Sequence, residues 1–255
     1  MPSRVQIQQD PEMAVAYDGL FRTRPFHRNA SRGEALSWGR RRGAILKLEE
    51  FVRSFGEPYS KALGIDLQSK RKEEIVKWFL ASILYSKPIR ERTATLTYRT
   101  FEAYETLSID SILSAGWDGL VQILDEGGYV RYDFSTATKL LEVFGNLRKR
   151  YNSDLWNLYN DANDSSDLER HLKALGKGVG DTTVSVFLRD MRAIWPKSNP
   201  KLTPLEELAL EELGIKDLEA LAKRRGLDIV RLQTALLRLG KDFLKRGKEV
   251  DVSLG

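Results

Sequence analysis

The chain has 255 residues, enough to bury a sizeable core in one large domain or in two interleaved lobes. Its 41 basic residues against 36 acidic ones give a formal charge of +5 and a pI near 9.3, a modest excess that favours a polyanionic partner. The absence of cysteine excludes disulfides, zinc–thiolate sites and thiol nucleophiles, and the two histidines, His27 and His171, stand far apart and read as surface residues rather than metal ligands.

Residues 1–13 are polar and lack the apolar centre of a secretory signal, and no later stretch reaches membrane-spanning length. The expectation is a cytoplasmic, nucleoid-associated protein with no membrane partner. Residues 1–35 show no sustained period and carry Arg22, Arg24, Arg28 and Arg32 among Phe21, Pro25, Phe26 and Asn29. Arg40, Arg41 and Arg42 continue the charge. The segment reads equally as a basic arm lying along phosphates and as a solvated tail.

From residue 44 onward Ile45, Leu48, Phe51, Val52 and Phe55 recur at spacings of three and four, predicting an amphipathic helix ended by Gly56 and Pro58. Residues 72–85 place Ile75, Val76, Trp78, Phe79, Leu80, Ile83 and Leu84 on nearly every face, the pattern of a central buried helix. Pro88 ends that run. A helical period resumes at 90–104, and 108–113 and 117–124 read as two short helices separated by Ala115-Gly116 before Gly127-Gly128 breaks the chain. Further helices are predicted at 134–150, at 168–175 behind the cap-like Ser165-Ser166-Asp167, and at 182–195, which Pro196 ends. The last three lie at 205–213 behind Thr203-Pro204, around 218–225, and at 229–246. Strand signals are nearly absent, so the fold class is all-α, with roughly ten short helices and no internal repeat.

Within 172–195, Leu172, Leu175, Val179, Val184, Phe187 and Leu188 form an apolar seam between two helices, punctuated by Gly176, Gly178 and Gly180. The turn itself reads Lys177-Gly178-Val179-Gly180-Asp181. Glycine lets another backbone approach with no Cβ in the way. The helix N-terminus that follows offers unpaired N–H groups and the positive end of a dipole, which together suit a phosphate, and Lys177 adds a direct charge. A plain glycine-capped helix–helix turn would carry the same residues.

The pattern Leu172-x-x-Leu175-x-x-Gly178-Val179-Gly180-x-x-Thr183-Val184 resembles the hairpin of the helix-hairpin-helix DNA glycosylases, the superfamily that includes endonuclease III and the adenine mismatch glycosylase. The resemblance covers about 73–203, and the hairpin is its specific part. It implies a six-helix barrel at 74–192 with the hairpin at 172–195, a second lobe made of 36–73 with 193–255, and a monomer that binds double-stranded DNA across the cleft. Lys177, Gly178, Val179, Gly180, Asp181 and Thr183 would then meet DNA. Ser86-Lys87-Pro88 resembles the loop that fills the space left when a base is rotated out of the stack. Lys87 is the wedge on that reading and an ordinary helix-terminal lysine otherwise. The family's iron–sulfur cluster needs four C-terminal cysteines, so no cofactor is expected here; a monovalent cation at the hairpin is the one ion the resemblance allows. Packing of residues such as Leu205, Leu208, Leu213, Leu232, Leu236 and Phe243 must hold the C-terminal lobe instead.

Two family positions carry chemistry, and the chain departs from both. Bifunctional members place a lysine two residues after the second hairpin glycine, where its amine forms a Schiff base with the sugar. Thr182 stands there, so the resemblance implies a monofunctional enzyme that hydrolyses the N-glycosidic bond of a damaged or mismatched base. The family also has an aspartate roughly eighteen residues further on, just before a helix of the second lobe, that stabilises charge developing on the sugar. The count lands on Pro200, and Asn199 is the counterpart after a one-residue shift. An amide carries no charge and cannot act as a general base. Either turnover is lost or another carboxylate supplies the role; Asp190 reads as a solvated-face residue and Asp181 as support for the helix start. A non-catalytic helix-hairpin-helix DNA-binding protein is the alternative, and a helical protein–protein scaffold a third reading. Trp78, Tyr85, Trp117, Tyr129 and Trp195 are the candidate stacking partners for a base, most of them more in keeping with core.

Overall fold

A computed structural model describes residues 46–247 and 252–253; the basic arm at 1–35, His27 and Arg40, Arg41 and Arg42 lie outside the described residues. The described chain is all-α, with twelve α-helices where about ten were expected. In chain order they are α1 (Leu48–Phe55), α2 (Tyr59–Ala62), α3 (Lys72–Tyr85), α4 (Glu91–Ala103), α5 (Ile109–Glu126) and α6 (Asp133–Tyr151). There follow α7 (Leu155–Asp161), α8 (Ser165–Lys173), α9 (Asp181–Met191), α10 (Pro204–Glu212), α11 (Leu218–Arg225) and α12 (Ile229–Arg238). Two short strands, β1 (Leu46–Lys47) and β2 (Val252–Ser253), pair in parallel with Leu46 opposite Val252.

Local chemistry explains where these elements depart from the apolar period. The stretch expected as two helices is the single α5, interrupted at Gly116, whose φ of 63° and ψ of −173° only glycine adopts readily. The unforeseen α7 is seven residues long, too short to display a period; it starts where the Asp154 carboxylate accepts from the Trp156 N–H at 2.8 Å, and buries Leu155 and Leu158. The helix expected over 229–246 keeps its α geometry only to Arg238 and then widens into a π turn at Leu239–Phe243. There Gly240 lies so close to the chain that a Cβ would fall 2.0 Å from the Leu205 carbonyl oxygen.

The centre of the fold is α3. Its Ile75, Trp78, Phe79, Leu80, Ile83 and Leu84 are fully buried, at about 1.5–3 kcal/mol of transfer free energy for each side chain. The Trp78 indole N–H donates to the Phe187 carbonyl at 3.0 Å, and the Phe79 ring meets Phe144 and Phe187 edge-on at 5.9 and 5.1 Å. One continuous apolar core runs from Tyr59 to Trp195, joined by Leu237. Leu48, Phe51, Val52 and Phe55 of α1 are buried outside it, as are Val230, Leu232, Ala235 and Leu236 of α12, against which α1 packs.

Charged groups are buried where these two sets meet. Asp190 is not on a solvated face: it is 4% exposed and accepts from the Ser60 N–H at 3.0 Å, the Ser60 hydroxyl at 2.8 Å and Arg189 Nε at 3.1 Å. Arg189 is equally buried, 3.9 Å from Glu206 and 5.0 Å from the Tyr59 ring centroid, which Arg238 approaches at 4.7 Å. Removing these ions from water is costly, and several partners for each offset the cost. Among the described residues no helix is long and apolar enough to cross a membrane.

Candidate nucleic-acid interface

The hairpin joins the end of α8 at Lys173 to the start of α9 at Asp181. Leu172, Leu175, Val179, Val184, Phe187 and Leu188 are all buried, so the seam read from the sequence is a packed one. Helix α6 holds the turn from behind: Asn146 Nδ2 donates to the Leu175 carbonyl at 2.9 Å, and Arg150 donates to the Ala174 carbonyl at 2.8 Å. A Cβ on Gly178 would lie 3.0 Å from Lys139 Cβ and 3.3 Å from Val143 Cγ2, and one on Gly176 would lie 3.0 Å from Glu142 Cδ. These two glycines seat the turn on α6.

Gly180 does something else. A Cβ there would have no atom within 4 Å, its φ of −96° and ψ of −175° suit any residue, and no side chain caps the α9 N-terminus it begins. The first helical bond runs from the Val184 N–H to the Gly180 carbonyl at 3.0 Å, and among the described residues the preceding amides have no side-chain acceptor. Lys177 and Thr182 are exposed beside this opening. Asp181 is exposed too, but Lys173 takes its carboxylate at 2.5 Å and, with a smaller contribution from Lys201, holds it below the usual carboxylate range. Thr183 is buried with its hydroxyl 3.4 Å from the Gly178 carbonyl, a bond within the turn rather than a group presented outward.

Ser86 also turns inward, donating its hydroxyl to the Ile83 carbonyl at 2.7 Å. Lys87 is half-buried, and Lys139, whose stem lies on Gly178, disfavours its charge. Burial first, and Lys139 second, bring the Lys87 ammonium down to about 8. Lys139 was missed at the level of sequence. Its signal is spacing: Lys139, Glu142, Asn146 and Arg150 recur along one stripe of α6, the stripe the hairpin lies on.

Asn199 lies at the opposite end of the helix pair. Its carbonyl accepts from the hydroxyl of Ser165, at the start of α8, at 3.4 Å, and its Oδ1 accepts from Arg192, just past the end of α9, at 3.5 Å. Thr182 and Asn199 are therefore not brought together; the eleven residues of α9 separate their ends by about 16 Å at 1.5 Å each. Asn199 opens on a shallow groove of about 550 Å3 with Arg192, Ser198, Glu219, Lys223 and Ile229. The carboxylate in this groove is that of Glu219, ion-paired with Arg192, and is neither Asp181 nor Asp190. The Ser198 hydroxyl is buried there without a partner among the described residues. The residue directly before α10 is Thr203, which donates to the Glu206 carboxylate at 2.7 Å and caps the helix.

Of the candidate stacking residues, Trp78, Tyr129 and Trp195 are core, and Tyr85 is half-buried and stacked on Tyr59 at 4.9 Å. Trp117 is 41% exposed and pairs at 5.4 Å with Phe134, which is 60% exposed. His171 is not a surface residue: it is half-buried, 3.4 Å from both the Tyr151 hydroxyl and Asp167. Among the described residues no group of three or more His, Asp or Glu side chains converges as a metal site would require. Comparison with protein-family models, with curated proteins and with solved structures finds no match for this chain.

Proposed function

We propose that this chain is a cytoplasmic, nucleoid-associated DNA-repair protein that binds duplex DNA as a monomer through the hairpin at 172–195. The observation that carries the reading is the contrast within the hairpin: Gly176 and Gly178 are sealed against α6, while Gly180 opens an uncapped helix N-terminus to solvent beside exposed Lys177. Such an opening lets a phosphate reach backbone N–H groups directly. The two-lobed glycosylase arrangement is part of the same proposal, supported by two sets of buried apolar residues, one from Tyr59 to Trp195 and one from the terminal helices.

The chemistry proposed is monofunctional excision of a damaged or mismatched base, since Thr182 cannot form an imine. The groove at Asn199 is the place for it, and Glu219 is the carboxylate at hand to activate water. The same pairing of Glu219 with Arg192, beside an uncharged Asn199, favours a non-catalytic DNA-binding protein as the second reading.

Binding of a labelled duplex should weaken steeply between about 50 and 200 mM salt. Salt-insensitive or absent binding overturns both readings. Incubating the protein, Asn199→Asp and Glu219→Gln with duplexes holding uracil, 8-oxoguanine, alkylated bases or mismatches, then cleaving abasic sites with alkali, separates enzyme from binder. Excision by the native chain that Glu219→Gln abolishes supports the enzyme, excision gained only with Asn199→Asp identifies the missing acid, and none from any protein supports the binder.

A further inference from the structure

We propose that Arg192 is the phosphate-binding residue of the groove at Asn199, and that Glu219 holds it as a stand-in anion until a nucleotide phosphate displaces the carboxylate. The proposal rests on the reading of that groove given above and deepens it by saying what the Glu219–Arg192 pair does. The two partners are unequal: the Arg192 side chain is 10% exposed and that of Glu219 65%. An ion pair with one partner largely in solvent holds weakly. Arg192 is also fixed from behind, its Nη1 donating to Oε1 of the fully buried Gln233 at 3.3 Å and its Nη2 to Asn199 Oδ1 at 3.5 Å. Glu219 has no second partner among the described residues. When the pair opens, the guanidinium therefore stays and the carboxylate moves.

The charges of the groove leave room for an anion. Its walls carry two cations, Arg192 and Lys223, against the one carboxylate of Glu219. Lys223 is exposed and has no ion-pair partner among the described residues. Lys197 is engaged elsewhere, by the carbonyls of Tyr159 and Ala162 at 2.7 and 2.5 Å, and Asp228, which starts α12, accepts from the Arg231 N–H at 2.8 Å. Ser198 lines the same groove with a buried hydroxyl that has no partner among the described residues. A volume of about 550 Å3 suits a nucleotide-sized ligand, and the planar fork of an arginine suits the oxygens of a phosphate. The displaced carboxylate remains in the first turn of α11, where the helix dipole favours it. The group proposed above to activate water is thus released when a nucleotide fills the groove.

The test uses the full chain, with arginine-resolved NMR reading the Arg192 guanidinium so that binding at the hairpin is not counted. The probes are inorganic phosphate, thymidine monophosphate and a duplex holding an abasic-site analogue. The variants are Glu219→Gln and Lys223→Gln, both at exposed residues. Each probe should shift the Arg192 signals of the native chain in a saturable way. Glu219→Gln should bind phosphate about fivefold more tightly, because the competing carboxylate is gone. Lys223→Gln should bind it about fivefold more weakly and lower the salt slope of duplex binding by about one. Arg192 signals that no probe shifts, or phosphate held no more tightly by Glu219→Gln than by the native chain, overturns the proposal whatever the duplex does. A duplex that leaves Arg192 unshifted while the two smaller probes shift it assigns the groove to free nucleotides. In that case the DNA reading falls if the duplex does not bind at all, and the hairpin stands if it does.

Discussion

A methyl group on Gly178 would meet the Cβ of Lys139 at 3.0 Å, whereas one on Gly180 would meet nothing within 4 Å. Gly178→Val should therefore destabilise the chain by about 1–3 kcal/mol in urea unfolding. Gly180→Val should leave the urea midpoint in place yet weaken duplex binding at least tenfold, because its side chain occupies the space where a phosphate would approach. Unchanged affinity in Gly180→Val would sink the hairpin assignment. The Lys87 ammonium gives a third expectation, with its sign fixed by linkage. Its pKa is lowered from the ordinary lysine value to about 8, so the folded chain binds fewer protons than the unfolded one between pH 8 and 10.5 and gains stability as pH rises through that window. Lys87→Met should raise the urea midpoint at pH 7, by an amount that shrinks to nothing as pH approaches 10.5. The glycine pattern was legible because a turn announces itself locally. Lys139 and Asp190 were not: each sits on a helix face that reads as solvated until the partner, Gly178 or Ser60, is brought up from elsewhere in the chain.

Legibility of whole elements followed the length of their apolar period. Helices α3 and α6 run for 14 and 19 residues, and the period placed α3 at its observed ends and α6 to within a residue. Four-residue α2 and seven-residue α7 complete too few turns to declare a face. The opposite failure occurs at 229–246, where apolar spacing continues past Arg238 although the backbone widens into a π turn, with Gly240 lying close to the Leu205 carbonyl. Caps were legible and carry energy of their own. Thr203 and Glu206 close a reciprocal capping box at the start of α10, so Thr203→Ala should cost about 1 kcal/mol of unfolding free energy. A loss no greater than that of an exposed Thr→Ala elsewhere would mean that the Glu206–Arg189 pair, and not the cap, holds this helix.

The two ends of the described chain are tied together, and that long-range closure is what a residue count along the sequence could not supply. Counting from Thr182 to Asn199 assumes that the chain comes back, whereas α9 carries it about 16 Å to the far end of the helix pair. At the termini, β1 pairs with β2 and α1 lies on α12, with Phe55 edge-on to Phe243 at 5.6 Å. Two glycines allow the close approaches: a Cβ on Gly56 would fall 2.5 Å from the Arg231 carbonyl oxygen, and one on Gly240 would fall 2.0 Å from that of Leu205. Backbone atoms cannot rotate aside as a side chain does, so Gly240→Ala must push α10 away from the C-terminal segment. Its cost should reach the upper end of about 1–3 kcal/mol. Where that loss appears tests the two-lobed proposal. If the terminal helices form a unit with its own core, native-state hydrogen exchange of Gly240→Ala should show lost protection in α1, α10, α11 and α12, with α3 and α6 retaining theirs. Equal loss throughout would mean that the buried Arg189, Asp190 and Glu206 cluster welds both cores into one cooperative unit.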